Sequence, residues 1–131
     1  MVGKQLLLDT NCFLWAAAES NRLSKTASKA LSDPGTILLV SLCSVWEMQI
    51  KHQLGKLPLP ARADLVAVDF ARSLKAEFLP VTIGHIGTLH GLPDVHRDPF
   101  DRMIVAQAIA ENLRILSPDP VLREYPATVI W

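Results

Sequence analysis

The sequence predicts an α/β fold built on a mostly parallel sheet. Short apolar runs alternate with helix-like segments along the chain, the pattern of strands joined by helical crossovers. Two of those runs, Leu6-Leu7-Leu8 and Ile37-Leu38-Leu39-Val40, are continuous and bounded by polar residues. A run of that kind suits a strand buried on both faces, as in a parallel sheet covered by helices. The third observation is scale. The chain has 131 residues, half of them apolar, and carries no internal repeat or low-complexity tract. One domain spanning 1–131, with a real core, is expected.

Each element has a local reason. After the opening strand, Asp9-Thr10-Asn11 leads into the apolar residues 12–18, so a helix is predicted there with Asn11 as its N-cap. Ser24 is placed to cap a second helix running to about Leu31, with Ala27, Ala30 and Leu31 on one face. Asp33-Pro34-Gly35 is a turn, because proline fixes φ and glycine tolerates positive φ. The strand 37–40 follows. Ser41 and Ser44 both offer N-caps for a helix over 45–54, which Gly55 and Pro58 terminate. Helical periodicity resumes at once, so Pro58 and Pro60 mark a connection and not a domain boundary. Leu65, Val68, Phe70, Ala71 and Leu74 predict an amphipathic helix over 61–76. Phe78-Leu79-Pro80-Val81 reads as a short strand whose proline places it at a sheet edge. A helix over 83–89, a break at Gly91-Leu92-Pro93 and a loop over 94–98 come next. Asp98-Pro99 supplies N-cap and first helical residue for a helix to about Glu111. A strand over 113–116, a turn or short helix start at 117–120 and a last strand over 128–130 complete the chain.

Composition excludes several function classes. Thirteen basic and thirteen acidic residues balance, so long-range attraction to nucleic acid is weak and any such binding needs a local patch. Cys12 and Cys43 both sit in apolar segments and read as buried reduced thiols, with no CxxC or Cys/His spacing for zinc. The opening apolar stretch is broken by Asp9, too short and polar for a signal peptide or membrane span, so a cytoplasmic protein is expected.

Chemistry points to the acids. Asp9, Glu47, Asp98, Asp101 and Asp119 each fall where a strand gives way to the next element or a helix opens. The carboxyl ends of parallel strands share one edge of the sheet, so these groups are expected to converge in one cleft. Clustered carboxylates repel unless a cation sits among them, and an oxygen-only set suits Mg²⁺, for which Mn²⁺ can substitute. Such an ion activates water and neutralises charge on a phosphoryl group. Four of the five acids also have a structural reading. Ser44-x-x-Glu47 has the spacing of a capping box, and Glu47 sits four residues before Lys51, an ion-pair spacing. Asp98 suits an N-cap, Asp101 the helix dipole, and Asp119 a turn. Only Asp9 lacks a ready structural account. His52, His85, His90 and His96 read as surface residues or helix-end caps, and Trp15 and Trp46 as core or an association surface; Trp131 is not placed.

The motifs Leu-Leu-Asp9-Thr10-Asn11, Ser44-Val45-Trp46-Glu47 with Lys51, His96-Arg97-Asp98-Pro99-Phe100-Asp101-Arg102 and Ile115-Leu116-Ser117-Pro118-Asp119 resemble the PIN-domain ribonucleases. The likeness is closest to VapC-type toxins of toxin–antitoxin pairs and runs over nearly the whole chain. It implies an α/β/α sandwich around a parallel sheet and a Mg²⁺-dependent endoribonuclease. By position, Asp9, Glu47 and Asp101 resemble the metal-binding acids, Asp119 the fourth acid, and Asp98 an accessory acid or helix cap. Asn11, and Thr10 more weakly, resemble residues that orient the acids. Ser117 stands where many relatives have threonine, and Arg97 and Arg102 flank the acids as phosphate contacts or ion-pair partners. The resemblance also implies an RNA substrate, a cognate antitoxin and a homodimer. Three competing readings exist. A haloacid-dehalogenase-type phosphatase wants a second Asp where Asn11 stands. A receiver domain wants paired acids before the first helix and a late lysine. A non-catalytic interaction module would not keep repulsive carboxylates facing phosphates.

Overall fold

The computed structural model describes residues 4–131. Five strands form one sheet: β1 (Lys4–Leu8), β2 (Thr36–Ser41), β3 (Glu77–Leu79), β4 (Arg114–Leu116) and β5 (Val129–Ile130). Their order is β3-β2-β1-β4-β5, and every pairing is parallel. The first strand is therefore central. Leu8 pairs with Val40 on one side and Leu116 on the other, so Asp9, Ser41 and Ser117 leave the sheet along one edge.

Six helices cover the two faces: α1 (Thr10–Ala18), α2 (Lys25–Ser32), α3 (Leu42–Gln53), α4 (Ala63–Leu74), α5 (Ile83–Leu89) and α6 (Pro99–Glu111). Alternation along the strands makes the layers. Leu6, Leu8, Leu38 and Val40 pack with Phe13 of α1, Ala27 of α2, Met48 of α3 and Ala67 of α4. Leu7, Leu39 and Ile115 face the other way onto Ile104 and Val105 of α6, with Leu122 and Tyr125. Each fully buried leucine contributes about 1.5–3 kcal/mol of transfer free energy. The α/β/α sandwich predicted from the motifs is observed, with the sheet wholly parallel.

The element order agrees with the sequence reading, and the differences lie mostly at helix starts. In α4 the buried residues are Ala63, Val66, Ala67 and Ala71, while Leu65 and Val68 are exposed. Small residues on the inner stripe let the helix approach α1, where Phe70 meets Phe13 edge-on at 6.1 Å. Residue size thus misleads about the inner face. His85 is buried, not a surface residue. Its Nδ1 accepts from the Thr82 N–H, completing a capping box for α5, and its Nε2 lies 2.9 Å from Glu111. Trp15 is half-buried against Trp131, with the Arg22 guanidinium 4.1 Å from its ring centroid, whereas Trp46 is 62% exposed. Among the described residues no helix is long and apolar enough to cross a membrane.

Candidate metal centre

Asp9 follows β1 directly and stays in register with the sheet, its N–H donating to the Leu116 carbonyl at 3.1 Å. Its backbone remains extended, and Oδ1 accepts from the Cys12 N–H at 2.7 Å. Asp9 is therefore the N-cap of α1, displacing Asn11 from the role the sequence predicts for it. Asn11 instead lies exposed in the first turn, on the wall of the cleft. The second Asp9 oxygen accepts from the Ser117 hydroxyl, and Ser117 Oγ in turn accepts from the Asp119 N–H at 3.1 Å. A single serine thus ties together two acids from opposite ends of the chain.

Glu47 is reached from the neighbouring strand. Ser41, the last residue of β2, caps α3 by accepting from the Cys43 N–H, so the helix begins at Leu42. That start puts Ser44 inside the helix, and the Ser44–Glu47 capping box does not form. Glu47 is 4% exposed and points into the cleft. Thr10 Oγ donates to Glu47 Oε1 at 2.6 Å, and Lys51 Nζ donates to Oε2 at 2.5 Å. Ser44 Oγ lies 2.9 Å from Thr10 Oγ. Thr10 has one hydroxyl proton, and with that committed to Glu47 the Ser44 hydroxyl is the donor between them.

The remaining acids open two helical turns. Asp98 caps α6, its Oδ1 accepting from the N–H groups of Phe100 and Asp101 at 2.8 and 3.3 Å. Asp119 caps the 3₁₀ turn Pro120–Glu124 by accepting from the Val121 N–H at 3.0 Å. Asp101, in the first turn of α6, turns toward Asp119. Between them stands His96, its Nε2 3.1 Å from Asp101 Oδ2 and 3.9 Å from Asp119 Oδ2.

Asp9, Thr10, Asn11, Glu47, Lys51, Asp98, Asp101 and Asp119 line a cavity of about 170 Å³. Five carboxylates face one ammonium there. A larger groove of about 700 Å³ opens near Lys4, Lys29 and Arg114, around the strand ends away from the acids, and collects no comparable set. The arginines do not line the acid cavity. Arg97 is exposed, and Arg102 donates to the Pro93 carbonyl at 2.9 Å and to Tyr125 Oη at 3.3 Å, bracing the preceding loop. The structure therefore adds Lys51 and His96 to the neighbourhood of the acids. Lys51 was legible from its spacing to Glu47. His96 had only its place two residues before Asp98 to mark it.

Electrostatics separate this cluster from ordinary helix caps. Burial pushes the Asp9 carboxyl up to about 6, against the hydrogen bonds from Ser117 and Cys12, and the charges of Glu47 and Asp119 add to the rise. Asp101 is pushed up to about 7, by burial first and then by the charges of Asp98 and Glu47. Lys51 is also raised. Burial works against its charge, but the hydrogen bond and charge of Glu47 outweigh it. Carboxylates that hold protons near neutrality, with all-oxygen donors converging from four parts of the fold, are short of positive charge. That is the environment a hard divalent cation satisfies, so the residues fit the predicted metal. Both thiols are buried and stay protonated, burial pushing Cys43 up to about 12 and Cys12 further still.

Residues 6–127 match the PIN domain family. The chain belongs to it. PIN domains are generally nucleases. Solved structures share the fold at low identity. VapBC2 from Rickettsia felis, bound to a DNA fragment from its promoter, aligns with a TM-score of 0.69 at 13% identity, over 96% of this chain and 97% of that one. FitAcB from Neisseria gonorrhoeae aligns at 0.58 and 16% identity, over 96% of each chain. FitAB bound to the IR36 DNA fragment aligns at 0.56 and 17%, over 95% of this chain and 93% of that one. No curated protein sequence matches the chain.

Proposed function

We propose that this PIN domain is a metal-dependent endoribonuclease that hydrolyses RNA phosphodiester bonds and forms the toxin half of a toxin–antitoxin pair. The observation that carries the reading is the acid cavity: Asp9, Glu47, Asp98, Asp101 and Asp119 line one small cavity, two of them with proton affinities raised to about 6 and 7. A module that merely bound RNA or protein would gain nothing from such repulsion. The phosphatase reading is weaker, since the residue two after Asp9 is an exposed amide, Asn11.

Asp9, Glu47 and Asp101, with Asp119 beside them, would hold Mg²⁺, for which Mn²⁺ can substitute. Once bound, the ion would supply Lewis-acid charge and lower the proton affinity of water. The chain's own residues prepare for that. Ser117 and the Cys12 N–H fix both oxygens of Asp9, and Thr10 fixes one oxygen of Glu47, so these acids are oriented before anything binds. Lys51, held at the mouth by Glu47 and 45% exposed at its side chain, is the cation placed to meet a phosphate. Arg97 is exposed and free to contact the backbone further out, whereas Arg102 holds the loop that carries His96.

The structural neighbours are complexes with a second protein, VapBC2 and FitAcB, which supports a cognate antitoxin as partner here. A homodimer is the accompanying expectation, and Ile83 and Ile86, exposed on α5, offer apolar surface for association. The net charge of zero makes docking of RNA depend on a local patch or on the dimer. The test is cleavage of a structured RNA pool by purified protein with Mg²⁺ or Mn²⁺ against EDTA, beside Asp9→Asn. Metal-dependent cutting lost in the variant supports the nuclease. No cutting, with stability indifferent to metal, supports the interaction module.

A further inference from the structure

The loop before α6 carries a histidine whose protonation state the backbone dictates. His96 Nδ1 lies 3.2 Å from the Asp98 N–H and accepts from it. A nitrogen that accepts a hydrogen bond carries no proton, so the imidazole is the neutral tautomer with its proton on Nε2. That Nε2–H faces Asp101 Oδ2 at 3.1 Å, within hydrogen-bond range, and Asp119 Oδ2 at 3.9 Å, beyond it. The backbone on either side is fixed as well. The His96 N–H donates to Tyr125 Oη at 2.8 Å, and Arg102, bound to that same hydroxyl, also donates to the Pro93 carbonyl. The ring therefore cannot turn without breaking its contacts to the Asp98 N–H and to Asp101, both on the N-terminal turn of α6.

The three groups His96, Asp101 and Asp119 lie close enough to be read as a metal-binding triad. The tautomer argues otherwise. Using Nε2 as a ligand would require the proton to move to Nδ1, where it would face the Asp98 N–H. We propose that His96 is a positioning residue and not a ligand: its Nε2–H holds Asp101 by Oδ2, with Asp119 beyond hydrogen-bond range, so that Asp101 keeps its other oxygen for the cation. The inference rests on the metal-dependent reading above and deepens it, assigning the site a built-in donor from outside the acid set. Thr10 serves Glu47, Ser117 serves Asp9, and His96 serves Asp101; three acids each receive a hydroxyl or imidazole proton.

Two variants split the roles of the ring. His96→Asn keeps an acceptor at the Nδ1 position for the Asp98 N–H but cannot reach Asp101. His96→Gln carries an N–H to about the Nε2 position. Calorimetric titration of the full chain with Mn²⁺ should show affinity falling about 10- to 100-fold in His96→Asn, the range for loss of a group that orients a ligand. His96→Gln should recover most of it. The RNA-cleavage loss in His96→Asn should track metal concentration, appearing as a raised metal requirement with KM for RNA unchanged. Electron spin echo spectra of bound Mn²⁺ should show no directly coordinated imidazole nitrogen, and ¹⁵N spectra of the metal-free protein should show a protonated Nε2 and a bare Nδ1. Mn²⁺ affinity unchanged in His96→Asn, or a nitrogen coupling in the wild type that disappears in that variant, overturns the inference while leaving the nuclease reading intact. A wild-type chain that takes up no Mn²⁺ overturns both.

Discussion

The metal-free chain should become less stable as pH rises through neutrality. Unfolded, Asp9 and Asp101 both titrate near 3.8; folded, they are raised to about 6 and about 7. A carboxyl with a raised folded-state value binds its proton more tightly in the native form, so acid stabilises the fold and the gain disappears as pH passes the folded value. Between pH 5.5 and 8 the unfolded carboxyls are already ionised and only the folded ones release protons. Linkage then gives about 2 kcal/mol for Asp101 and somewhat under 1 kcal/mol for Asp9 over that interval. The two raise each other through shared charge, so the pair together should cost about 2 to 3 kcal/mol. For a domain of this size that is a fall in Tm of roughly 10 °C. Thermal melts by circular dichroism in EDTA, at half-unit steps of pH, measure it directly. Asp101→Asn, nearly isosteric and still able to accept from His96, should flatten most of the slope and melt higher than wild type at pH 8. Melting curves that are level or rise from pH 5.5 to 8 in wild type, or a slope untouched by Asp101→Asn, would refute the reasoning that burial and mutual repulsion govern this cluster.

Other outcomes follow from the same contacts. Asp9→Asn should fold, because an amide oxygen can still cap α1, while RNA cleavage falls by at least about a hundredfold, the upper range for groups that only orient a metal ligand; cleavage assays beside a thermal melt check both halves. Thr10→Val removes the donor to buried Glu47 and should lower stability by about 1–3 kcal/mol in urea titration, with Thr10→Ser restoring it. Leu7→Ala, in the middle of the central strand with no exposed surface, should cost about 2–5 kcal/mol by the same assay. Trp46→Ala should change stability by under about 1 kcal/mol, since the ring is mostly exposed and touches Phe100 only edge-on at 5.4 Å.

The layers of the fold were legible because the signals were local and redundant. Leu6 to Leu8 and Ile37 to Val40, short apolar runs bounded by polar residues, suited strands buried on both sides, and Asp98-Pro99 announced α6 with both cap and first residue in place. Helix starts were less so. Asn11, Asp9, Ser41 and Ser44 are all competent caps, and which of them serves depends on where the strand lets the chain go. Asp9 capped α1 because β1 delivers it with an extended backbone, and Ser41 capped α3 because β2 ends there. The acids were visible singly from their places at element junctions, whereas their meeting depends on sheet order. No spacing rule finds His96 either: its tautomer is fixed by a backbone N–H two residues on, and its place between Asp101 and Asp119 depends on a helix and a strand that intervene in sequence.

The hydrogen bond from Ser117 to Asp9 joins positions 108 residues apart. On the ribosome, where chains grow at about 5–20 residues per second, β1 waits some 5 to 20 s for the strand that completes its edge. Throughout that interval Asp9 is present without Ser117, Asp119 or β4. A nascent chain therefore carries Asp9 long before the residues that complete its cleft, and the acids meet only once β4 and the segment after it have been made.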